Sequence, residues 1–127
     1  MISQAQLDWV LEQWRTEYGY PDVDRSYESR GSVGACAPPP IGTVADDFNA
    51  SWIKLSSASI PQWRMAMALK AETFAARTDP GWIILERLRK IGIIMSEKEF
   101  TDHVQWAKAH FCREFTIRRK QVLTLAG

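Results

Sequence analysis

Residues 82–111 constrain this chain more than any other stretch. The run Trp82-Ile-Ile-Leu-Glu-Arg-Leu-Arg-Lys-Ile-Gly-Ile-Ile-Met-Ser-Glu-Lys-Glu-Phe-Thr-Asp-His-Val-Gln-Trp-Ala-Lys-Ala-His-Phe111 reads as helix, short turn, helix. Gly92 falls in the turn, where a left-handed backbone costs glycine least. Ser96 then opens a second helix as an N-cap, and Glu99 lies three residues on, at the spacing of a capping box. Phe100, Val104, Ala107 and Phe111 recur at helical intervals and predict one buried face.

The rest of the chain reads the same way. A first helix is expected from about Ser3 to Tyr18, with Ser3 and Gln6 as a capping-box pair and Leu7, Val10, Leu11 and Trp14 as its apolar stripe. Gly19 and Pro21 end it. Residues 19 to 42 hold Gly31, Gly34, Pro38, Pro39, Pro40 and Gly42, and predict a long irregular loop. A second helix follows from Thr43 to about Ser56, with Asp46 and Asp47 in the first turn, where the helix dipole favours negative charge. Its inward positions are Val44, Phe48, Trp52 and Leu55. A third starts at Ser59 or Ile60, carries Pro61 in its first turn and runs to about Ala76, with Met65, Met67 and Leu69 as core filler. Thr78, Asp79 and Pro80 break the chain and cap a fourth helix over residues 80–90, with Ile84, Leu85 and Leu88 inward. The fifth spans Glu97 to about Phe115. No stretch alternates with period two, so the expected class is all-α: about five helices in a single helical domain over 1–127, a helix-turn-helix at 80–115 and a long loop after the first helix.

Several function classes lose their support at this point. No apolar run approaches the length of a membrane span, and the first residues lack the basic-then-apolar pattern of a signal peptide, so no membrane partner and a cytoplasmic location are expected. Cys36 and Cys112 lie too far apart in sequence to imply a disulfide framework. There is no glycine-rich phosphate loop and no nucleophile elbow, so neither an enzyme nor a cofactor is expected. His103, His110 and Cys112 match no zinc spacing, and Asp46 and Asp47 are adjacent and so point to different faces, so no metal is expected.

Charge points elsewhere. Residues 1–80 hold seven Lys/Arg against ten Asp/Glu, a balance of −3, whereas residues 81–127 hold nine against five, a balance of +4. The positive half contains the helix-turn-helix pattern, as nucleic-acid binding favours; a solvated basic surface gives the same numbers. On the fifth helix Lys98, Thr101, Gln105 and Lys108 share a side away from the apolar stripe, and these side-chain types bond phosphates and base edges. Arg113, Arg118, Arg119 and Lys120 add cations at the C-terminal end, where they suit either a phosphate backbone or the helix dipole. These eight residues are the expected contacts to double-stranded DNA.

The order of features resembles the phage late-gene antitermination proteins of the Q type. Leu11-Glu12-Gln13-Trp14 is similar to that family's Leu-Glu-x-Trp opening. Asp46 and Asp47 lead an apolar helix after a proline-bearing loop, and a helix ending in an aromatic, Thr73-Phe74, follows. Leu88, Ile91-Gly92, Ser96 and Val104-x-x-Ala107 then stand where the family has a module like the promoter-reading domain of sigma factors. Two departures stand out: family members often carry paired tyrosines where this chain has Thr73-Phe74, and some have a cysteine-bearing zinc insertion that is missing here. The resemblance implies a phage or prophage regulator that binds a late promoter, engages bacterial RNA polymerase with its sigma factor, and makes that polymerase read through terminators. It also makes the 19–42 loop and the first helix the expected polymerase contact. The residues taken alone leave a second reading open: a helical protein-interaction module, such as a host-takeover inhibitor, in which the hairpin only builds core.

Overall fold

In the computed structural model, residues 1–19 and 42–118 are described, and they are all-helical. The five helices are α1 (Gln4–Tyr18), α2 (Val44–Ala58), α3 (Ile60–Thr73), α4 (Gly81–Lys90) and α5 (Glu97–Glu114). No strand occurs among the described residues. Most of the loop expected over 19–42 lies outside them, as do Arg119 and Lys120.

The helix starts follow from local chemistry. Three of the five carry a complete capping box: Ser3 with Gln6, Thr43 with Asp46, and Ser96 with Glu99. Each satisfies two of the amide donors that a helix N-terminus leaves without intrahelical partners. At α3, Ser59 accepts from the Gln62 amide, with Pro61 in the first turn. α4 departs from the expected pattern. Its N-cap is Pro80, which has no side-chain acceptor, and no side-chain cap bond forms. Asp79 does not cap it; its carboxylate accepts from the Ala76 amide at 3.0 Å and from Arg87 at 2.7 Å, closing the turn before the helix rather than the helix itself.

Helix ends are equally specific. Gly19 closes α1 with its amide 2.7 Å from the Arg15 carbonyl oxygen. A Cβ there would stand 2.4 Å from that same oxygen, so only glycine fits. α4 ends in a Schellman motif: the Ile93 amide donates to the Leu88 carbonyl and the Gly92 amide to that of Arg89, both at 3.0 Å. Gly92 takes φ +93°, the one positive-φ residue among those described. Leu88 and Ile93, which bracket the motif, are both buried, supplying the apolar contact that accompanies it.

One buried cluster draws on all five helices. Its centre is aromatic. Trp14 of α1 is fully buried and lies 4.9 Å, ring centre to ring centre, from Phe48 and 5.7 Å from Trp52, both on α2, and 4.7 Å from Phe74 at the end of α3. Phe48 passes the contact on to Phe111 of α5 at 4.6 Å and to Phe115 beyond it at 5.5 Å. Such pairs add about 0.5–1.5 kcal/mol each beyond the area they bury. The indole N–H groups are satisfied: Trp14 donates to Asn49 Oδ1 at 3.0 Å and Trp52 to the Ala66 carbonyl at 2.8 Å. α3 presents small residues, Ala66 and Ala68, with Leu69, to the interior, which lets neighbouring backbones approach. The inward stripe read for α4 is reduced to one fully buried side chain, Leu88, with Ile84 and Leu85 half-buried.

Both ends of the described chain are stitched down. The Ile2 amide donates to the Cys112 carbonyl at 2.8 Å, satisfying an acceptor that α5 leaves open at its C-terminus. After α5 the chain turns back, burying Phe115 and Ile117. Arg118 pairs with Asp47 at 2.6 Å and also donates to the Gly42 carbonyl.

Trp14→Ala should cost about 3–5 kcal/mol, the range for truncating a buried large aromatic, in urea unfolding. Gly92→Ala should cost about 1 kcal/mol through backbone strain alone, because a Cβ there meets nothing within 4 Å. A Gly92→Ala variant as stable as the parent would contradict the left-handed turn.

Candidate nucleic-acid interface

The α4–turn–α5 segment is held from behind. Val104, Ala107 and Phe111 of α5 are buried. Ion pairs then fix α5 to α3 in its first turn and beyond its middle: Arg64 with Glu99 at 3.9 Å, and Glu72 with Lys108 at 3.2 Å. Arg64 also donates to the Ile94 carbonyl at 3.3 Å, tying α3 to the turn that precedes α5. The opposite side of α5 faces solvent.

On that side the expected residues separate into groups. Lys98, Thr101 and Gln105 are exposed. They lie at i, i+3 and i+7 and form one ridge. The Thr101 hydroxyl is turned back onto its own helix, donating to the Glu97 carbonyl at 3.0 Å. Lys108 leaves the ridge: its side chain is 27% exposed and its ammonium is taken by Glu72. At 3.6 residues per turn, ten residues fall about 80° short of three full turns. Lys108 is nearly a quarter turn from Lys98 but, seven residues after Thr101, lies within about 20° of it, so the Glu72 carboxylate of α3 and not register takes it from the ridge. Arg113 is exposed in the last turn of α5. Arg118 is committed to Asp47 and Gly42, and Arg119 and Lys120 lie outside the described residues. The last turn of α4 adds three basic side chains: Arg87, bound to Asp79; Arg89, 3.9 Å from Glu86; and the exposed Lys90.

Two features of this surface, Trp106 and the net negative charge of the first turn of α5, were not among the residues read for function. Trp106 is 54% exposed on α5, with its ring 5.0 Å from that of His103. Its signal was its register: two residues after Val104 at 100° each, it falls roughly on the far side from the buried stripe. The other is the acidic content of the helix start. Glu97 and Glu99 both lie in the first turn, and Glu99 is folded back onto the Ser96 amide at 3.1 Å. Hydrogen bonding by the Ser96 backbone and side chain, with the charge of Arg64, holds the Glu99 carboxyl below its ordinary pKa.

The candidate ligands elsewhere have ordinary partners. The Asp46 carboxylate accepts from the Tyr18 hydroxyl at 2.5 Å and from the Thr43 amide at 3.2 Å, and these bonds lower its pKa, Tyr18 most. Asp47 is paired with Arg118. His103 Nδ1 lies 2.6 Å from the Glu99 carbonyl oxygen. His110 lines a cleft of about 350 Å3 between α2 and α5, together with Lys54, Gln62 and Glu114. Burial there pushes its pKa down, Arg113 adds to the effect, and Glu114 opposes it. Among the described residues no three His, Cys, Asp or Glu side chains are grouped to hold a metal ion, and no helix is long and apolar enough to cross a membrane.

These shifts set the pH response of stability. His110 takes up its proton at lower pH in the fold than in the unfolded chain, so stability falls as pH drops below the ordinary 6.5. Asp46, Asp79 and Glu99 have lowered pKa values when folded. Their contribution is present above their ordinary values and is lost as pH falls through the depressed ones. The urea midpoint should therefore decline in two stages, below about pH 6.5 and again below about pH 4. His110→Gln should remove the first stage alone, and an unchanged decline between pH 7 and 5 would exclude His110 as its source.

No family model, no curated protein and no solved structure matches this chain.

Proposed function

We propose that the chain is a phage or prophage transcription antitermination factor that binds promoter DNA through α4, the Gly92 turn and α5. By this reading it modifies RNA polymerase to read through the terminators of late genes. The carrying observation is the exposed Lys98–Thr101–Gln105 ridge on a helix whose opposite face is buried and whose start follows a glycine turn. A recognition helix needs both properties: side chains free to reach base edges, and a rigid seat that holds them in register with the groove. Lys98 and the basic end of α4 suit phosphate, and Gln105 suits the donor and acceptor edge of adenine. The antitermination part of the proposal rests on the resemblance of Leu11–Trp14, Asp46-Asp47 and the 88–107 segment to Q-type proteins. RNA polymerase and its sigma factor are the partners that resemblance implies.

A second reading has an observation of its own. Trp82, Ile91, Ile94 and Trp106 are large apolar side chains left exposed around the same segment. A helical protein-interaction module without DNA binding would use them as contact residues.

Salt separates the two. Under the first reading, affinity for a duplex carrying the cognate promoter falls steeply with salt as counterions are released. Lys98→Ala then weakens binding to all duplexes and lowers the slope of log affinity against log salt by about 1. Gln105→Ala instead relaxes discrimination at one base pair by about 1–3 kcal/mol. A folded Lys98→Ala, Gln105→Ala double variant with parental DNA affinity overturns the assignment of α5 as the reading helix. For the tail, deletion of residues 119–127 is the informative truncation, because it removes Arg119 and Lys120 but spares the buried Ile117 and the Arg118–Asp47 pair. A flatter salt slope assigns the tail to phosphate contact; an unaltered one removes it from the interface. Read-through of a terminator by RNA polymerase on a template with the cognate promoter, in the presence of purified protein, tests the activity itself.

A further inference from the structure

α4 is the least embedded of the five helices, and its loose seat leaves a groove against α3. The groove holds about 280 Å3 and is lined by Met67, Ala71 and Phe74 from the α3 side and by Leu88 and Ile91 from the α4 side, with Lys70 and Arg87 among its walls. That volume lies at the lower edge of the ~300–1,000 Å3 typical of small-molecule sites. It suits one or two large apolar side chains rather than a cofactor. Ile91 is 46% exposed at its end.

The charges say what kind of segment would bring those side chains. Lys70 has its ammonium 4.9 Å above the Trp52 ring and 5.6 Å above that of Phe74. Among the described residues no carboxylate lies within ion-pair distance of it. Arg87 is held at one nitrogen by Asp79, which fixes its guanidinium in place and leaves further N–H donors on the fork. Lys90, at the end of α4, is exposed next to Ile91. An apolar floor with two cations in its walls and a third beside it is complementary to a helix or turn carrying large apolar side chains flanked by carboxylates. DNA fits this place poorly, because a sugar-phosphate strand could meet the cations but has nothing with which to fill the floor.

We infer that the α3–α4 groove docks a short acidic amphipathic segment of a partner protein, whose apolar side chains fill the space between Ala71, Phe74, Leu88 and Ile91 and whose carboxylates pair with Lys70 and Arg87. This does not rest on the DNA-reading role of α5: the two surfaces share the basic end of α4, whereas Lys70, Ala71 and Phe74 belong to the groove alone.

The test is a titration of the 15N-labelled full chain with an acetylated, amidated twelve-residue peptide of Asp, Glu and Ala that carries Phe and Leu one helical turn apart. Saturable shifts are expected at the amides of Ala71, Phe74, Leu88 and Ile91. Replacing both apolar anchors by Ala, or the acids by Lys, should weaken binding on the order of tenfold or more. On the protein side, Lys70→Gln and Ala71→Leu should each produce a similar loss. Ile91→Ser, at an exposed position, gives a second variant that keeps the fold if Ala71→Leu disturbs it. The inference is overturned if no saturable shift appears up to about 1 mM peptide, the affinity range of very weak complexes. It is also overturned if the anchorless or lysine peptide binds equally well, if Lys70→Gln and Ile91→Ser both bind as the parent does, or if duplex DNA shifts the α3-side amides of Ala71 and Phe74 more strongly than the peptide.

Discussion

Trp14 is the side chain on which the fold turns. From α1 it reaches Phe48 and Trp52 on α2 and Phe74 at the end of α3, and Phe48 extends the contact to Phe111 on α5 and Phe115 beyond. Four helices thus meet around a few rings at tilted and edge-on angles, the arrangement that the ring quadrupole prefers. Trp14, Phe48 and Phe111 are the bulkiest of the fully buried side chains, so these rings fill the centre of the core. The indole N–H of Trp14 would be costly if stranded there, and Asn49 on α2 removes that cost while adding a directional link between α1 and α2.

What is left out of that aromatic cluster matters for function. α4 joins the core through Leu88 and, past the turn, Ile93. α5 by contrast is fixed along its length: Ser96 and Glu99 cap its start, Arg64 and Glu72 pair with it from α3, and the Ile2 amide closes its C-terminal end. A rigid helix beside a lightly held one gives a firm surface for a ligand that must be read in register. It also leaves a groove for a ligand that packs side chains.

The two ends of the described residues are tied to different helices, Ile2 to α5 and Arg118 to α2. Ile2 has its side chain buried and donates its amide to α5. Arg118 brings the segment after α5 back to the N-terminal turn of α2, where Asp47 already complements the helix dipole. One carboxylate therefore serves both α2 and the chain beyond α5, so a cation that reads as a free DNA contact in sequence has a structural task.

Sequence by itself determined the helices, because their causes are local. Ser3, Thr43 and Ser96 with their partners three residues on, the glycine at 92, and the apolar stripes of α1 and α5 act within a few residues of one another, and no distant part of the chain is needed to interpret them. Of the candidate site, the Lys98–Thr101–Gln105 ridge was legible for the same reason: it is a matter of helical periodicity. Tertiary structure alone decided which charges remain free. Lys108 and Lys98 read alike in sequence, yet Glu72 of α3 stands beside one and the other is left in solvent. Arg118 and Asp47 are 71 positions apart, and nothing local in either announces the pair. Asp79 reads as a cap and became an anchor for Arg87, since its geometry depends on how the turn before α4 closes. The α3–α4 groove belongs to the same class: each of its residues is ordinary on its own helix, and the space exists only because two helices meet without filling what lies between them.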